Sequence, residues 1–247
     1  MKIALCLSGQ PRGLPYSIDL IKENVIEPNS ITDVFLHAWH NEEDAGKFYN
    51  SAQPHQNGRV GRIKQNTESM LLNGFQPKKW IIEPQKRFPE TWGMKADPTA
   101  NQELLASSFY SVYQANELKS QYEKENNFVY DIVIRSRYDL YFDREILVEN
   151  YYNKLDKIIV MKKFQDAQDA KQNVDKPMVD IFAIGNSKHI NVFSSVYPNM
   201  PELNTLINPP FGENYLGRWV RVQNKIELHK ADFSFEILHR VVDLSKS

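Results

Sequence analysis

The residues Arg135-Ser136-Arg137-Tyr138-Asp139 close an apolar run, Ile132-Val133-Ile134. Alternate residues of a strand share a face, so the two guanidinium groups lie side by side as the strand ends. They repel unless an anion, carboxylates or solvent stand between them. A diphosphate suits them, because arginine meets phosphate oxygens through paired donors. A structural salt-bridge network with Asp139 or Asp143 suits them too. Asp139 has two readings of its own. A carboxylate after a central strand can hold Mg2+ or Mn2+, hard cations that take oxygen ligands. Alternatively it neutralises the arginines.

A second segment of this kind follows the run Ile3-Ala4-Leu5-Cys6-Leu7. Ser8-Gly9-Gln10-Pro11-Arg12 places a hydroxyl, a glycine and a guanidinium at a strand end. Glycine lets backbone N–H groups approach a ligand, and Arg12 can pair with phosphate. The helix expected to follow adds its positive end. The segment is neither a Walker loop nor Gly-x-Gly-x-x-Gly, and a plain turn with a solvated arginine fits it equally.

Four further residues stand out. His37 and Trp39 alternate at the end of Asp33-Val34-Phe35-Leu36-His37-Ala38-Trp39. Trp39 can stack on a base or sugar, or fill the core; His37 can bind a ligand, or serve as a hydrogen-bonded structural group. His37, His40 and His55 do not have a metal-binding spacing. Asp180 is the charged residue in Val179–Gly185, where an acidic group is costly unless paired or at a site. It could accept sugar hydroxyls, act as a base or cap the strand start. Glu213 opens a late helix after a proline-rich stretch, where it serves either as general base or as dipole partner.

These groups meet only if their strands lie together. The pattern predicts strands over 2–8, 33–39, 79–83 and 130–134, with helices over 14–27, 62–72 and 101–126 between them. Such strand–helix–strand alternation favours a parallel sheet, and ligands bind beyond the carboxyl ends of such strands. The second half reads as strands at 157–161 and 179–185, a mobile loop over 165–177, a helix from 186 or 187 to 197, a long connection marked by Pro198, Pro201, Pro209 and Pro210, a helix over 212–222, and two short closing strands. No repeat or linker divides the chain, so one mixed α/β domain is expected.

Composition sets outer limits. The 247 residues are 41% hydrophobic and 25% charged, with a net charge of -1, which gives no general attraction to nucleic acid or anionic membrane. One cysteine, Cys6, excludes an internal disulfide and fits a reducing compartment. No run approaches a membrane span or a signal peptide. The expectation is a cytoplasmic protein.

Taken together, five segments resemble nucleotide-sugar glycosyltransferases of the GT-A fold. They more closely resemble small glycosyltransferase-like proteins of bacteria and large viruses. The segments are Leu7-Ser8-Gly9-Gln10-Pro11-Arg12, Asp33–Trp39, Phe109-Tyr110-Ser111-Val112-Tyr113-Gln114-Ala115-Asn116, Ile134–Asp139 and Asp180-Ile181-Phe182-Ala183-Ile184-Gly185. The resemblance implies a single GT-A-like domain over 1–247 with a Rossmann-like, mostly parallel sheet flanked by helices. Residues 1–139 would bind the nucleotide and 140–247 the acceptor. It implies a nucleoside diphosphate sugar donor and a glycan or other hydroxyl acceptor. Ser8, Gly9, Gln10 and Arg12 fall near the nucleotide, together with His37, Trp39, Arg135 and Arg137. Asp180 falls on the acceptor side, and Glu213 roughly where inverting enzymes carry a base. The fold usually holds Mn2+ or Mg2+ through Asp-x-Asp, but this chain has the single Asp139. Either Asp139 alone anchors the metal, or the arginines take over part of its charge-neutralising role. A nucleotidyltransferase and a non-catalytic scaffold with a decayed site are the alternatives.

Overall fold

Ile3 to Leu7 are all buried, as in a strand covered on both faces. They begin β1 (Ile3–Gly9), the centre of one half of the molecule. The computed structural model describes residues 1–29, 32–49, 61–88, 102–207, 211–233 and 235–238. His55, Pro209 and Pro210 lie outside these.

In chain order the elements are α1 (Tyr16–Ile21), β2 (Thr32–Trp39), α2 (Thr67–Phe75), β3 (Lys79–Glu83), α3 (Gln102–Glu125), β4 (Ile132–Arg137), β5 (Leu140–Phe142), β6 (Ile158–Met161), α4 (Lys162–Asp169), β7 (Phe182–Gly185), α5 (Ser187–Ser194), α6 (Val196–Leu203), α7 (Gly212–Gly217), β8 (Leu228–Ala231) and β9 (Phe235–Ile237). Seven strands form one sheet in the order β3-β2-β1-β4-β7-β6-β8, while β5 and β9 form a separate ribbon. β3, β2, β1 and β4 are parallel. β7 runs against both neighbours, β4 and β6, and β8 is parallel to β6. The fold is thus mixed α/β, a mostly parallel central sheet flanked by helices, as expected.

Strand alternation sorts the core into two layers. Ile3, Leu5, Leu7, Val34 and Leu36 pack on α1 and α2 through Ile18, Ile21, Leu71 and Phe75. Ala4, Cys6, Phe35 and Val133 face α3, α5 and α6 through Phe109, Val112, Ile190, Phe193 and Met200. Burial pushes the Cys6 thiol up to about 12, which leaves it unreactive.

The α3 face also buries charge. Lys119 Nζ donates to Ser187 Oγ at 2.5 Å and Asn191 Oδ1 at 2.8 Å, and pairs with Glu123 at 3.1 Å. Glu123 Oε1 accepts from Tyr130 N and from Ser187 Oγ, both at 2.8 Å. One network therefore joins α3 to the approach to β4 and to the first turn of α5.

Several boundaries differ from the pattern reading. The expected loop at 165–177 begins inside α4. Its buried residue is Gln165, so no apolar stripe betrays the helix; the amide donates to Pro177 O at 3.0 Å and accepts from Val179 N at 3.1 Å. α6 runs through Pro198 and Pro201 instead of yielding to a connection. Pro198 falls in the first turn, where an N–H has no helical partner anyway. Val196, Met200 and Leu203, all fully buried at helical spacing, hold the turn around Pro201. α2 starts at Thr67 because Asn66 adopts φ 58°, outside the helical region. The helix expected over 14–27 is α1 followed by a π-helical turn at Lys22–Ile26 and a 3-10 turn.

Candidate functional site

The parallel register sets the ends of β1, β2 and β4 along one edge. Ser8 lies between His37 and Arg137, and Cys6 beside Arg135. Arg135 and Arg137 share the sheet face that carries Ser8 and His37. The antiparallel register pairs Ser136 with Phe182, so β7 begins where β4 ends and brings Asp180 to the same edge.

Three guanidinium groups and one carboxylate form the centre. Arg137 grips Asp139 with Nε at 2.8 Å and Nη2 at 2.7 Å. Arg12 Nη1 stands 3.6 Å from the same carboxylate, of which 2% is exposed. Gln10 Oε1 accepts from Arg12 Nε at 3.0 Å and Nη2 at 2.6 Å. Leu238 N donates to Asp139 O at 2.8 Å, so the end of β9 fixes the bend between β4 and β5. Arg135 is 4% exposed. It donates to the Asp180 carbonyl and, at 3.4 Å, to Ser8 Oγ, while its Nε has no partner among the described residues. Burial pulls Arg12 and Arg135 down to about 10, against Asp139 for the first and Asp180 for the second. Burial works against Arg137 as well, but Asp139 outweighs it and holds that group above its ordinary value. All three are cations at neutral pH.

Gly9 sits at the lip of this cluster with φ +112°, a region that L side chains rarely adopt. Among the described residues no atom lies within 4 Å of where its Cβ would stand, so the backbone there faces open space.

Asp180 and Glu213 make a second centre beside the first. A Cβ on Gly212 would stand 3.5 Å from Asp180 Oδ2, which places the start of α7 against Asp180. Met178 N donates to Glu213 O at 2.9 Å, and Gln168 Nε2 to Glu213 Oε1 at 3.4 Å. Burial, reinforced by the charge of Asp180, raises the Glu213 carboxyl. The loop before β7 is seated by α7 and the π-helical turn after it. Arg221 Nη1 donates to Lys176 O and Pro177 O, each at 3.0 Å, and Arg218 reaches Asp175 at 3.5 Å. Gly217 allows the close approach: a Cβ there would meet Lys176 O at 2.2 Å.

His37 and Trp39 are not brought to the surface of this cluster. His37 is fully buried and Trp39 nearly so. Trp39 stacks on Tyr110 at 5.5 Å and donates from Nε1 to Ser107 O at 3.4 Å. His37 Nε2 meets Glu83 at 3.2 Å and Nδ1 meets Ser111 Oγ at 2.8 Å, while Gly9 N donates to that same Ser111 oxygen at 2.7 Å. The Glu83 carboxylate only accepts, so the neutral His37 carries its proton on Nε2, and Nδ1 accepts from Ser111 Oγ, which itself accepts from Gly9 N. The relay holds the end of β1. Ser111 falls within a resemblance segment but Glu83 carries no signal of its own; a buried histidine's need for two partners is what could have assigned them this role.

Burial, opposed by Glu83, pushes His37 down to about 4. The unfolded chain therefore binds this proton more readily than the folded one. Stability from this group is full above about pH 6.5 and is lost as pH falls to about 4, on the order of 3 kcal/mol. Urea melts between pH 7 and pH 4.5 should show a flatter pH slope for His37→Gln than for wild type. Parallel slopes would reject the buried neutral histidine.

The residues at Asp139 do not suit a divalent cation. Both carboxylate oxygens engage guanidinium donors, and no three His, Cys, Asp or Glu side chains converge among the described residues.

The α/β sheet with a polar, cation-rich strand edge is the class this chain defines. Residues 1–172 match the family described as Domain of unknown function (DUF7796), and the chain belongs to that family. No curated protein sequence matches. Among solved structures, the apo form of mouse xyloside xylosyltransferase 1 aligns over 93% of this chain and 84% of that one, at 11% identity and a TM-score of 0.41. Among the described residues no helix is long and apolar enough to cross a membrane.

Proposed function

We propose that the protein is a GT-A-like glycosyltransferase, moving a sugar from a nucleoside diphosphate sugar to an acceptor hydroxyl at this sheet edge. The observation that carries the reading is the meeting of Arg12, Arg135 and Arg137 beside Gly9, with Asp180 and Glu213 adjacent. In such a transfer the bond from the sugar's anomeric carbon to the phosphate oxygen breaks. Its electron pair leaves with the nucleoside diphosphate, and the acceptor oxygen forms the new bond. Fixed cations favour this step because the leaving group gains charge as it departs. The acceptor proton goes to Glu213, whose raised carboxyl makes it a stronger base than an exposed glutamate. That assignment implies inversion at the anomeric carbon. Asp180 receives a further sugar or acceptor hydroxyl. Ser8, Gly9 and Gln10 line the nucleotide side, and His37 and Trp39 position it from behind. The donor is a nucleoside diphosphate sugar and the acceptor a glycan or another hydroxyl compound.

A thermal-shift panel of nucleoside diphosphates and their sugars tests the reading. A ligand at a hundred times its Kd adds about 2.7 kcal/mol, or about 5–10 °C for a chain of this size. If no member of the panel shifts the melting temperature, with or without Mn2+, the reading is lost.

A further inference from the structure

We infer that the site works without a divalent cation: Arg12, Arg135 and Arg137 neutralise the diphosphate, and Asp139 is their internal counterion rather than a metal ligand. The inference rests on the nucleotide-sugar reading above and deepens it.

The first support is the state of Asp139. Arg137 binds it through two parallel donors, at 2.8 and 2.7 Å, and Arg12 closes in at 3.6 Å. A cation coordinated there would displace charge-assisted bonds and then face the released guanidinium groups at short range. In a buried setting that repulsion is strong. The second support is the balance of charge. Among the described residues, Arg12, Arg135 and Arg137 stand against the carboxylates Asp139 and Asp180. The cluster thus complements an anion, and a dication would deepen its excess.

The third support is the unpaired donor. Arg135 Nε–H is buried with no acceptor among the described residues, on the sheet face that Ser8 and Arg137 share. A buried polar group without a partner calls for an explanation. A phosphate oxygen satisfies such a donor, whereas a metal ion cannot. Asp139 then has a positioning role. It keeps Arg12 and Arg137 together before the ligand arrives, and a phosphate takes over part of its bonding afterwards.

Calorimetric titration of EDTA-treated protein with inorganic pyrophosphate, UDP and GDP, repeated in excess Mn2+, tests this. Pyrophosphate and at least one of the nucleotides should bind the EDTA-treated protein, and Mn2+ should change the affinity by less than about threefold. Arg137→Ala should weaken metal-free pyrophosphate binding by about tenfold or more. Asp139→Asn should keep that binding or tighten it, since one competing charge is gone. Binding that needs Mn2+, or tightens about tenfold with it, overturns the inference while sugar transfer stands. Binding of no ligand under either condition overturns both. Should Asp139→Asn fail to fold, the wild-type comparison decides.

Discussion

Lys119→Met should melt at much lower urea than wild type, with a loss of about 3–5 kcal/mol. The size follows from what stays behind. Lys119 is fully buried, and its ammonium is the cation paired with the nearly buried Glu123. Methionine fills the space but leaves that carboxylate uncompensated. Glu123 keeps the donors Tyr130 N and Ser187 Oγ, which places the loss toward the lower end. Ser187 and Asn191 lose their shared donor as well. A second change separates the charge effect from the packing effect. Lys119→Met with Glu123→Gln removes both charges and keeps an acceptor for Tyr130 N. The double variant should therefore recover at least half of the loss, because replacing a whole buried pair is often nearly neutral. A single variant within about 1 kcal/mol of wild type would show that the network does not hold α3 in place.

Gly217→Ala should be nearly as damaging, against what helix propensity says. Gly217 has helical angles, φ −60° and ψ −49°, where alanine is ordinarily better by about 1 kcal/mol. Packing reverses the sign. The new methyl group would stand 2.2 Å from Lys176 O and 2.7 Å from Asp175 O, and both obstacles are backbone. The loop at 173–177 must retreat, which stretches the Arg221 bonds to Lys176 and Pro177 and the Arg218 contact with Asp175. Overpacking of this kind costs about 1–3 kcal/mol, and more where backbone must move, so the melting temperature should fall by about 5–10 °C. The same loop leads into Asp180. On the proposed function, kcat should therefore fall more than donor affinity, since the arginines at the end of β4 stay in place. An alanine variant as stable as wild type would contradict the close packing of the loop on α7.

How much of this was legible in the sequence varied with the kind of signal. The parallel strands β1, β2 and β4 are short apolar runs ended by polar turns, so their shared edge could be read directly. The alternation of Arg135 and Arg137 placed both on one face, and the register agrees. Asp139 lies against Arg12 and Arg137, the pairing that one of its two readings expects. The direction of β7 could not be read, because period-two patterning is the same in either direction. α4 was hidden by a buried glutamine and α6 by its prolines. Lys119 carries no signal in the sequence, since nothing in a helical wheel shows a partner 68 residues away in α5. His37 showed the reverse problem: its spacing suited a ligand, while its partners came from β3 and α3.

The reversed β7 divides the edge into two kinds of ground. Arg135 and Arg137 belong to a strand that has just finished, anchored by neighbours on both sides. Asp180 belongs to one that has not yet begun, and it arrives on a loop held by α4, α7 and the π-helical turn that follows α7. Insertions or substitutions in that loop, or in the approach to α7, can reshape one wall without disturbing the strand ends opposite. Surface loops absorb such change far more readily than central strands do. On the proposed function, the architecture therefore suits proteins that keep a common grip on one reactant while exploring many choices of the other.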